Sequence, residues 1–222
     1  MQKNFSQRCF SWFKQVLIFI GMLILMELPQ SGLLLANNNQ NIFLAWGLFF
    51  GFYALFFIVA FKFLKLKKLY RPWQSGNGRF LLWMWITLMG CKIIFTSLNM
   101  LIYHQETSAN DQAIVNLMQK NPTTAVMTVV MAVIFAPLTE ELIFRGLFMN
   151  FFFRKSDFWA IFVSGLIFGL AHSSTTLASV ILYCSMGWVL GYTYRKSQNL
   201  VVSTSLHFIN NLPAVLLLLT GN

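Results

Sequence analysis

The sequence predicts an all-α fold, a polytopic transmembrane helical bundle of about seven spans. Three observations predict it. Apolar residues make up 57% of the 222 residues, above the roughly 45–50% of soluble domains. Charged residues make up 10%, against roughly 25%. The apolar residues also gather into runs of the length, roughly 20 residues, that a helix needs to cross about 30 Å of hydrocarbon. With 24 Phe and 7 Trp the chain buries too much apolar area to be disordered, and it has too little charge to cover a soluble surface.

The runs lie at approximately 13–36, 42–64, 80–103, 122–153, 158–172, 177–194 and 199–219. Lys3, Arg8 and Lys14 precede the first, as in a signal peptide. Glu27-Leu28-Pro29 follows it in place of a small-residue cleavage site, which favours a retained signal anchor. The second run carries an aromatic stripe, Phe49, Phe50, Phe52, Tyr53, Phe56 and Phe57, suited to packing and lipid contact. Its Gly47 and Gly51 form a GxxxG pattern, which predicts a close helix approach. The third has Trp83 and Trp85 at an interface position and a lone Lys92. The fourth is long enough to tilt or to extend beyond the membrane, and the fifth is short. His104 falls in a polar loop after the third run. Cys9, Cys91 and Cys184 lie apart, without metal-type spacing. No internal repeat is visible.

The formal charge of +10 points to topology rather than to a nucleic-acid partner. Lys3, Arg8 and Lys14, then Lys62, Lys65, Lys67, Lys68, Arg71 and Arg79, then Arg154 and Lys155, then Arg195 and Lys196 all fall on alternate loops. The opposite loops hold Lys120 alone. Cytoplasmic loops collect basic residues, so the expectation is a multi-pass cell-membrane protein with its N-terminus cytoplasmic. The polybasic loop 62–79 is also suited to anionic lipid. Two regions are expected: three N-terminal membrane helices with that loop (1–121), and a four-span core (122–222).

Charges inside the spans are costly and usually mark function. Glu27 lies near the end of its run and is placed to snorkel. The segment Thr139-Glu140-Glu141-Leu142-Ile143-Phe144-Arg145 holds two of the six acidic residues side by side. Glu141 and Arg145 are i,i+4 and share a helix face, so they are expected to pair. Glu140 points about 100° away and is the free carboxylate. Pro137, three residues upstream, removes a helical hydrogen bond and predicts a kink.

Phe168 and His172 repeat the i,i+4 spacing on the fifth run, and His207 and Asn211 on the seventh. At 1.5 Å per residue, Glu140 lies about 21 Å from Arg154, His172 about 22 Å from Asp157, and His207 and Asn211 about 16 and 22 Å from Lys196. Three helices therefore bring polar residues to a similar depth, which predicts one polar cavity. A carboxylate taken into a low-dielectric cavity becomes a stronger base. An adjacent His shares a water proton, and a His–Asn pair donates to a developing oxyanion. These are parts for water attack on an amide. Glu140, His172 and His207 are equally a carboxylate-plus-two-imidazole zinc set, although neither HExxH nor HxxEH occurs.

Glu140-Glu141-Leu142-Ile143-Phe144-Arg145, Phe168-Gly169-Leu170-Ala171-His172 and His207-Phe208-Ile209-Asn210-Asn211 resemble, in order and spacing, the EExxxR, FxxxH and HxxxN/B motifs of the CAAX-protease and bacteriocin-processing (CPBP or Abi) family of intramembrane proteases. The resemblance covers roughly residues 122–216. It implies an intramembrane endopeptidase acting on a membrane-associated protein or peptide. The resemblance further implies that Glu140 activates water assisted by His172, with His207 and Asn211 at the oxyanion and Glu141, Arg145 and Phe168 in support. It leaves both a metal-free glutamate mechanism and a zinc-dependent one open. The short chain is more similar to the bacterial branch, linked to bacteriocin self-immunity and peptide processing, than to the branch that trims prenylated C-termini. Two competing classes share these residues. One is a non-catalytic bacteriocin immunity or scaffold protein. The other is a proton- or ion-coupled carrier, against which the lack of repeated broken helices argues.

Overall fold

In the computed structural model the described residues are 5–38, 41–64, 69 and 71–220; side chains are described from residue 10 to residue 212 within them. Lys3, Arg8, Cys9, Lys65, Lys67 and Lys68, which entered the charge and cysteine readings, lie outside the described residues or side chains. The helices are α1 (Phe5–Glu27), α2 (Gln30–Asn37), α3 (Ile42–Phe63), α4 (Asn77–Tyr103), α5 (Ala109–Met118), α6 (122–152), α7 (Asp157–Ala171), α8 (Leu177–Ser197) and α9 (Leu200–Thr220). The chain is a polytopic membrane protein built of helices. Among the described residues, five helices are long and apolar enough to cross a membrane: Phe10–Asn37, Ile42–Phe63, Asn77–Tyr103, Pro122–Phe152 and Leu177–Ser197. α7 is apolar but only 15 residues long.

The chain forms two compact units, Met1–Leu64 and Lys65–Asn222. In the first, the leading apolar run is not one straight helix. It breaks at Leu28-Pro29, because Pro29 has no N–H to carry the ladder across. Ser31 N–H and hydroxyl both return to the Leu28 carbonyl and restart the helix. At the turn Gln30 hydrogen-bonds the side chain of Glu27, so Glu27 has a partner beside it. α2 then lies against α3 at Gly32, where a Cβ would come 2.5 Å from the Ala45 carbonyl.

α3 buries Ala45, Phe49, Tyr53, Phe56 and Ala60, spaced three or four apart, and leaves Phe50 outward. Its Gly47 and Gly51 fall on the exposed side, with nothing within 4 Å of a Cβ built on either. The close approach expected there does not occur. It occurs instead in the second unit, between α7 and α8, at Gly165, Gly169 and Gly187. A Cβ on Gly187 would meet the Gly165 Cα at 2.7 Å, and one on Gly165 or Gly169 would run into Trp188 or Cys184.

Local chemistry fixes the helix ends of this second unit. The side chains of Ser108, Asn121, Ser156 and Thr176 each accept an N–H from the first turn of α5, α6, α7 and α8. Asp111 and Asp157 add negative charge to their first turns. At the other end of α6, Arg195 donates to the Met149 carbonyl, which also receives Phe153 N–H, and to the Phe153 carbonyl beyond the helix end. α5 itself was not foreseen, because residues 106–111 read as a polar loop. Packing divides the chain at 64/65, while the motif-bearing segment begins at 122, so α4 and α5 share a compact unit with it.

Two wide π turns interrupt α6, at Met131–Phe135 and Leu142–Phe148, on either side of Glu140 and Glu141. The first has a readable cause. Pro137 has no N–H to give to Ala132 in the wide register, and Ala136 N–H goes to Met131. Asn211 on α9 supplies the missing donor, its Nδ2 lying 3.0 Å from the Ala132 carbonyl. In the second, Asn150 Nδ2 serves the carbonyls of Arg145 and Gly146 at 2.9 and 3.0 Å.

Candidate active site

The expected Glu141–Arg145 pair forms. Arg145 Nη1 lies 2.8 Å from Glu141 Oε1, and both side chains are fully buried. Arg145 Nη2 also donates to the Gly187 carbonyl of α8 at 2.9 Å. Its guanidinium sits 5.0 Å from the centre of the Phe168 ring. The guanidinium thus ties α6, α7 and α8 together around one buried charge. Gly187 can offer its carbonyl there because it has no side chain where α8 crosses α7.

Glu141 does more than balance Arg145. Its Oε1 also receives His207 Nδ1 at 3.2 Å, joining α6 to α9. A carboxylate only accepts, so Nδ1 carries the hydrogen and the opposite ring nitrogen is turned away from Glu141. That nitrogen, Nε2, lies 3.8 Å from Glu140 Oε2. The gap is too long for a direct hydrogen bond, and Glu140 Oε2 is buried without a hydrogen-bond partner among the described residues. Two consecutive carboxylates therefore bracket one imidazole. Glu141 is paired through Oε1 with Arg145 and His207, and Glu140 has no hydrogen-bonded cation of its own among the described residues.

Asn211 is oriented from both ends. Its Oδ1 accepts from Asn210 Nδ2 at 3.0 Å, and its Nδ2 donates to Ala132. One amide hydrogen of Asn211 remains for another acceptor. The i,i+4 spacing with His207 holds along α9, yet each side chain is fixed by a different part of α6.

His172 lies just beyond the end of α7 rather than on it. Its backbone N–H turns back to Gly169, and its side chain takes over the α-helical bond by donating Nδ1–H to the Phe168 carbonyl at 2.7 Å. The carbonyl can only accept, so Nε2 holds the lone pair. The Phe168 ring is the common neighbour, with its centre 4.5 Å from the His172 ring and 5.8 Å from the His207 ring. It is fully buried and also meets Phe144. Phe168 is the contact through which His172 joins the Glu140–Glu141–His207 group.

Tyr183 was missed by sequence reading. Its ring stacks on His172 at 4.5 Å and 14°. A tyrosine six residues into an apolar helix carries no motif signal. Lys92, which stood alone in the sequence, approaches the Asn210 carbonyl at 3.4 Å and lies within electrostatic reach of Asp111. His104 ends α4 in a left-handed conformation, φ 54°, and belongs to the loop as expected.

Among the described residues, no group of three or more His, Cys, Asp or Glu side chains is arranged to hold a metal ion. Glu140 and His207 face one another, and the Phe168 ring touches both His172 and His207. In this geometry the three donors do not fit a zinc site, and no step below passes through a metal.

Residues 122–213 match the family model described as "Type II CAAX prenyl endopeptidase Rce1-like". The chain is 30% identical over 105 residues to the protein named "Putative membrane peptidase YdiL" of Bacillus subtilis (strain 168), covering 47% of this chain and 41% of that one. It is 29% identical over 119 residues to the UPF0177 protein YvdC of Lactococcus lactis subsp. lactis (strain IL1403), covering 54% and 45%. The chain thus spans less than half the length of these curated relatives. No solved structure matches it.

Proposed function

From the match of residues 122–213 to the Rce1-like family model, we propose that the chain is a member of the CAAX-protease and bacteriocin-processing family and an intramembrane endopeptidase whose base is Glu140. The observation that carries this reading is the open Glu140 Oε2 facing His207 Nε2 at 3.8 Å, with the far side of that imidazole held by Glu141. Glu140 takes a proton from water, and the oxygen attacks the peptide carbonyl. His172 Nε2, with its lone pair outward, orients that water. The charge that develops on the carbonyl oxygen is met by the remaining amide hydrogen of Asn211, with the His207 imidazole beside it as the second polar contact. Collapse of the tetrahedral intermediate breaks the C–N bond, and Glu140 returns its proton to the leaving amine.

Preorganisation supports this assignment. Each of these groups is fixed by a second contact: His207 by Glu141, Asn211 by Ala132 and Asn210. Such groups need not reorient when charge appears. The substrate is a membrane peptide or protein, the bilayer is the other partner, and the biological role is bacteriocin self-immunity or peptide processing. The alternating basic loops support a cytoplasmic N-terminus.

The test is cleavage of a membrane-inserted peptide library by the full chain in nanodiscs. Glu140→Gln abolishes turnover while the protein keeps its wild-type melting temperature. Turnover at the wild-type rate in that variant rejects the assignment. A second reading, a non-catalytic immunity or scaffold protein, is favoured by one observation: Asn211 already spends a donor on the Ala132 backbone, as a packing residue does. Bacteriocin protection that survives Glu140→Gln together with His172→Ala selects that reading.

A further inference from the structure

His172 needs external support. It lies past the last residue of α7, its backbone N–H turns back to Gly169, and among the described residues its side chain makes one hydrogen bond, from Nδ1 to the Phe168 carbonyl. One bond leaves the imidazole free to swing about the Nδ1···O axis. Two flat faces remove that freedom: Phe168, tilted at 37°, and Tyr183, nearly parallel at 14°, each 4.5 Å from the imidazole centre.

The Tyr183 ring is in turn pinned at its far end. Its hydroxyl lies 2.6 Å from Ser108 Oγ and 3.3 Å from Asp111 Oδ1. The directions follow from the groups. The Asp111 carboxylate only accepts, so Tyr183 donates to it, and Ser108 donates to the Tyr183 oxygen. Ser108 Oγ meanwhile accepts Asp111 N–H as the cap of α5, at 3.1 Å. Cap, carboxylate and hydroxyl are joined, the Asn110 side chain also bonds the hydroxyl, and Tyr183 is 4% exposed. Ser108 and Asp111 precede residue 122 and so lie outside the segment that matches the family model.

We propose that Tyr183 is a positioning residue for His172, and that Ser108 and Asp111 at the start of α5 hold it in register. The amphipathic helix α5 thereby becomes part of the hydrolytic apparatus. The effect on rate rests on the peptidase reading above; the effect on the imidazole does not. Misplacement of a reacting group by about 1 Å costs roughly a hundredfold in rate, so a clamp of this kind acts on turnover and leaves substrate binding alone.

The experiment uses the full chain in nanodiscs with isotope-labelled histidine. The sequence has three histidines, and His104→Gln and His172→Ala assign their imidazole signals. In the wild type His172 shows the single Nδ1–H tautomer. Tyr183→Leu shifts the His172 signals and mixes its tautomers, while those of His104 and His207 stay in place. Asp111→Asn and Tyr183→Phe move His172 in the same direction by less. On a cleavable peptide, Tyr183→Leu lowers kcat roughly a hundredfold with KM unchanged. Unmoved His172 signals in folded Tyr183→Leu overturn the proposal, as do moved signals with unchanged kcat. If Tyr183→Leu does not fold, Asp111→Asn decides, and wild-type His172 signals in it overturn the proposal. A wild-type chain that cleaves no peptide defeats the peptidase reading instead, and the imidazole signals still decide the clamp.

Discussion

His207 Nδ1 lies 3.2 Å from Glu141 Oε1, the same oxygen that receives Arg145 Nη1 at 2.8 Å. A buried ion pair and the imidazole facing the open carboxylate therefore share one acceptor. Changes at Arg145 should reach His207 through the shared Glu141 oxygen. Arg145→Ala strands the Glu141 charge in a fully buried position, which costs roughly 3–5 kcal/mol. The expected result is a large loss of melting temperature. Arg145→Lys fails to restore it, because an ammonium cannot serve Glu141, Gly187 and the Phe168 face with one planar fork. An Arg145→Lys protein with wild-type melting temperature contradicts this structural role.

Asn211 holds two duties that substitutions separate. Asn211→Ala removes an oxyanion donor, which lowers kcat roughly 10²–10³-fold. It also orphans the Ala132 carbonyl at a cost of about 1–3 kcal/mol. Asn210→Ala leaves the Ala132 bond intact and frees only Asn211 Oδ1. Its expected effect is a smaller fall in kcat with little loss of stability. Equal stability losses in the two variants would mean that the Ala132 bond contributes nothing.

The helix crossing sets up a third comparison. Gly169→Ala pushes a methyl into Cys184, and overpacking of this sort costs typically 1–3 kcal/mol. Gly47→Ala and Gly51→Ala meet nothing within 4 Å and gain helix propensity. Thermal unfolding should fall for the first and hold or rise for the other two. The reverse order would move the close approach back to α3.

Metal content gives the fourth. The donor geometry around Glu140 and His207 lacks a third ligand among the described residues. Pure, active protein should carry substoichiometric zinc by elemental analysis and keep its kcat in the presence of a chelator. One zinc per chain, lost together with activity, overturns the metal-free mechanism.

How much of this was legible beforehand differs residue by residue. The Glu141–Arg145 pair was readable because both partners lie on one helix, one turn apart, and helix geometry alone brings them together. The bend at Pro29 and the disturbance before Pro137 have a covalent cause, a missing N–H, but only the former was left unread, since the apolar run continues through it. Glycine spacing misled. GxxxG at Gly47 and Gly165-x-x-x-Gly169 are the same pattern, and only the neighbouring helix decides which one is an interface. α5 was lost because its polar residues look like a loop until Ser108, Asp111 and Tyr183 meet.

The sequence by itself determined the membrane class, the order of the apolar helices, the Glu141–Arg145 pairing and the set of polar residues carried into them. Each of these follows from composition or from the repeat of a single helix. Tertiary structure alone decided the rest. It fixed which carboxylate holds His207 and which stays open, that Asn211 completes the backbone at Ala132, and that Tyr183 faces His172. Those relationships join residues on different helices, and their distances depend on how the helices cross, which no local periodicity encodes.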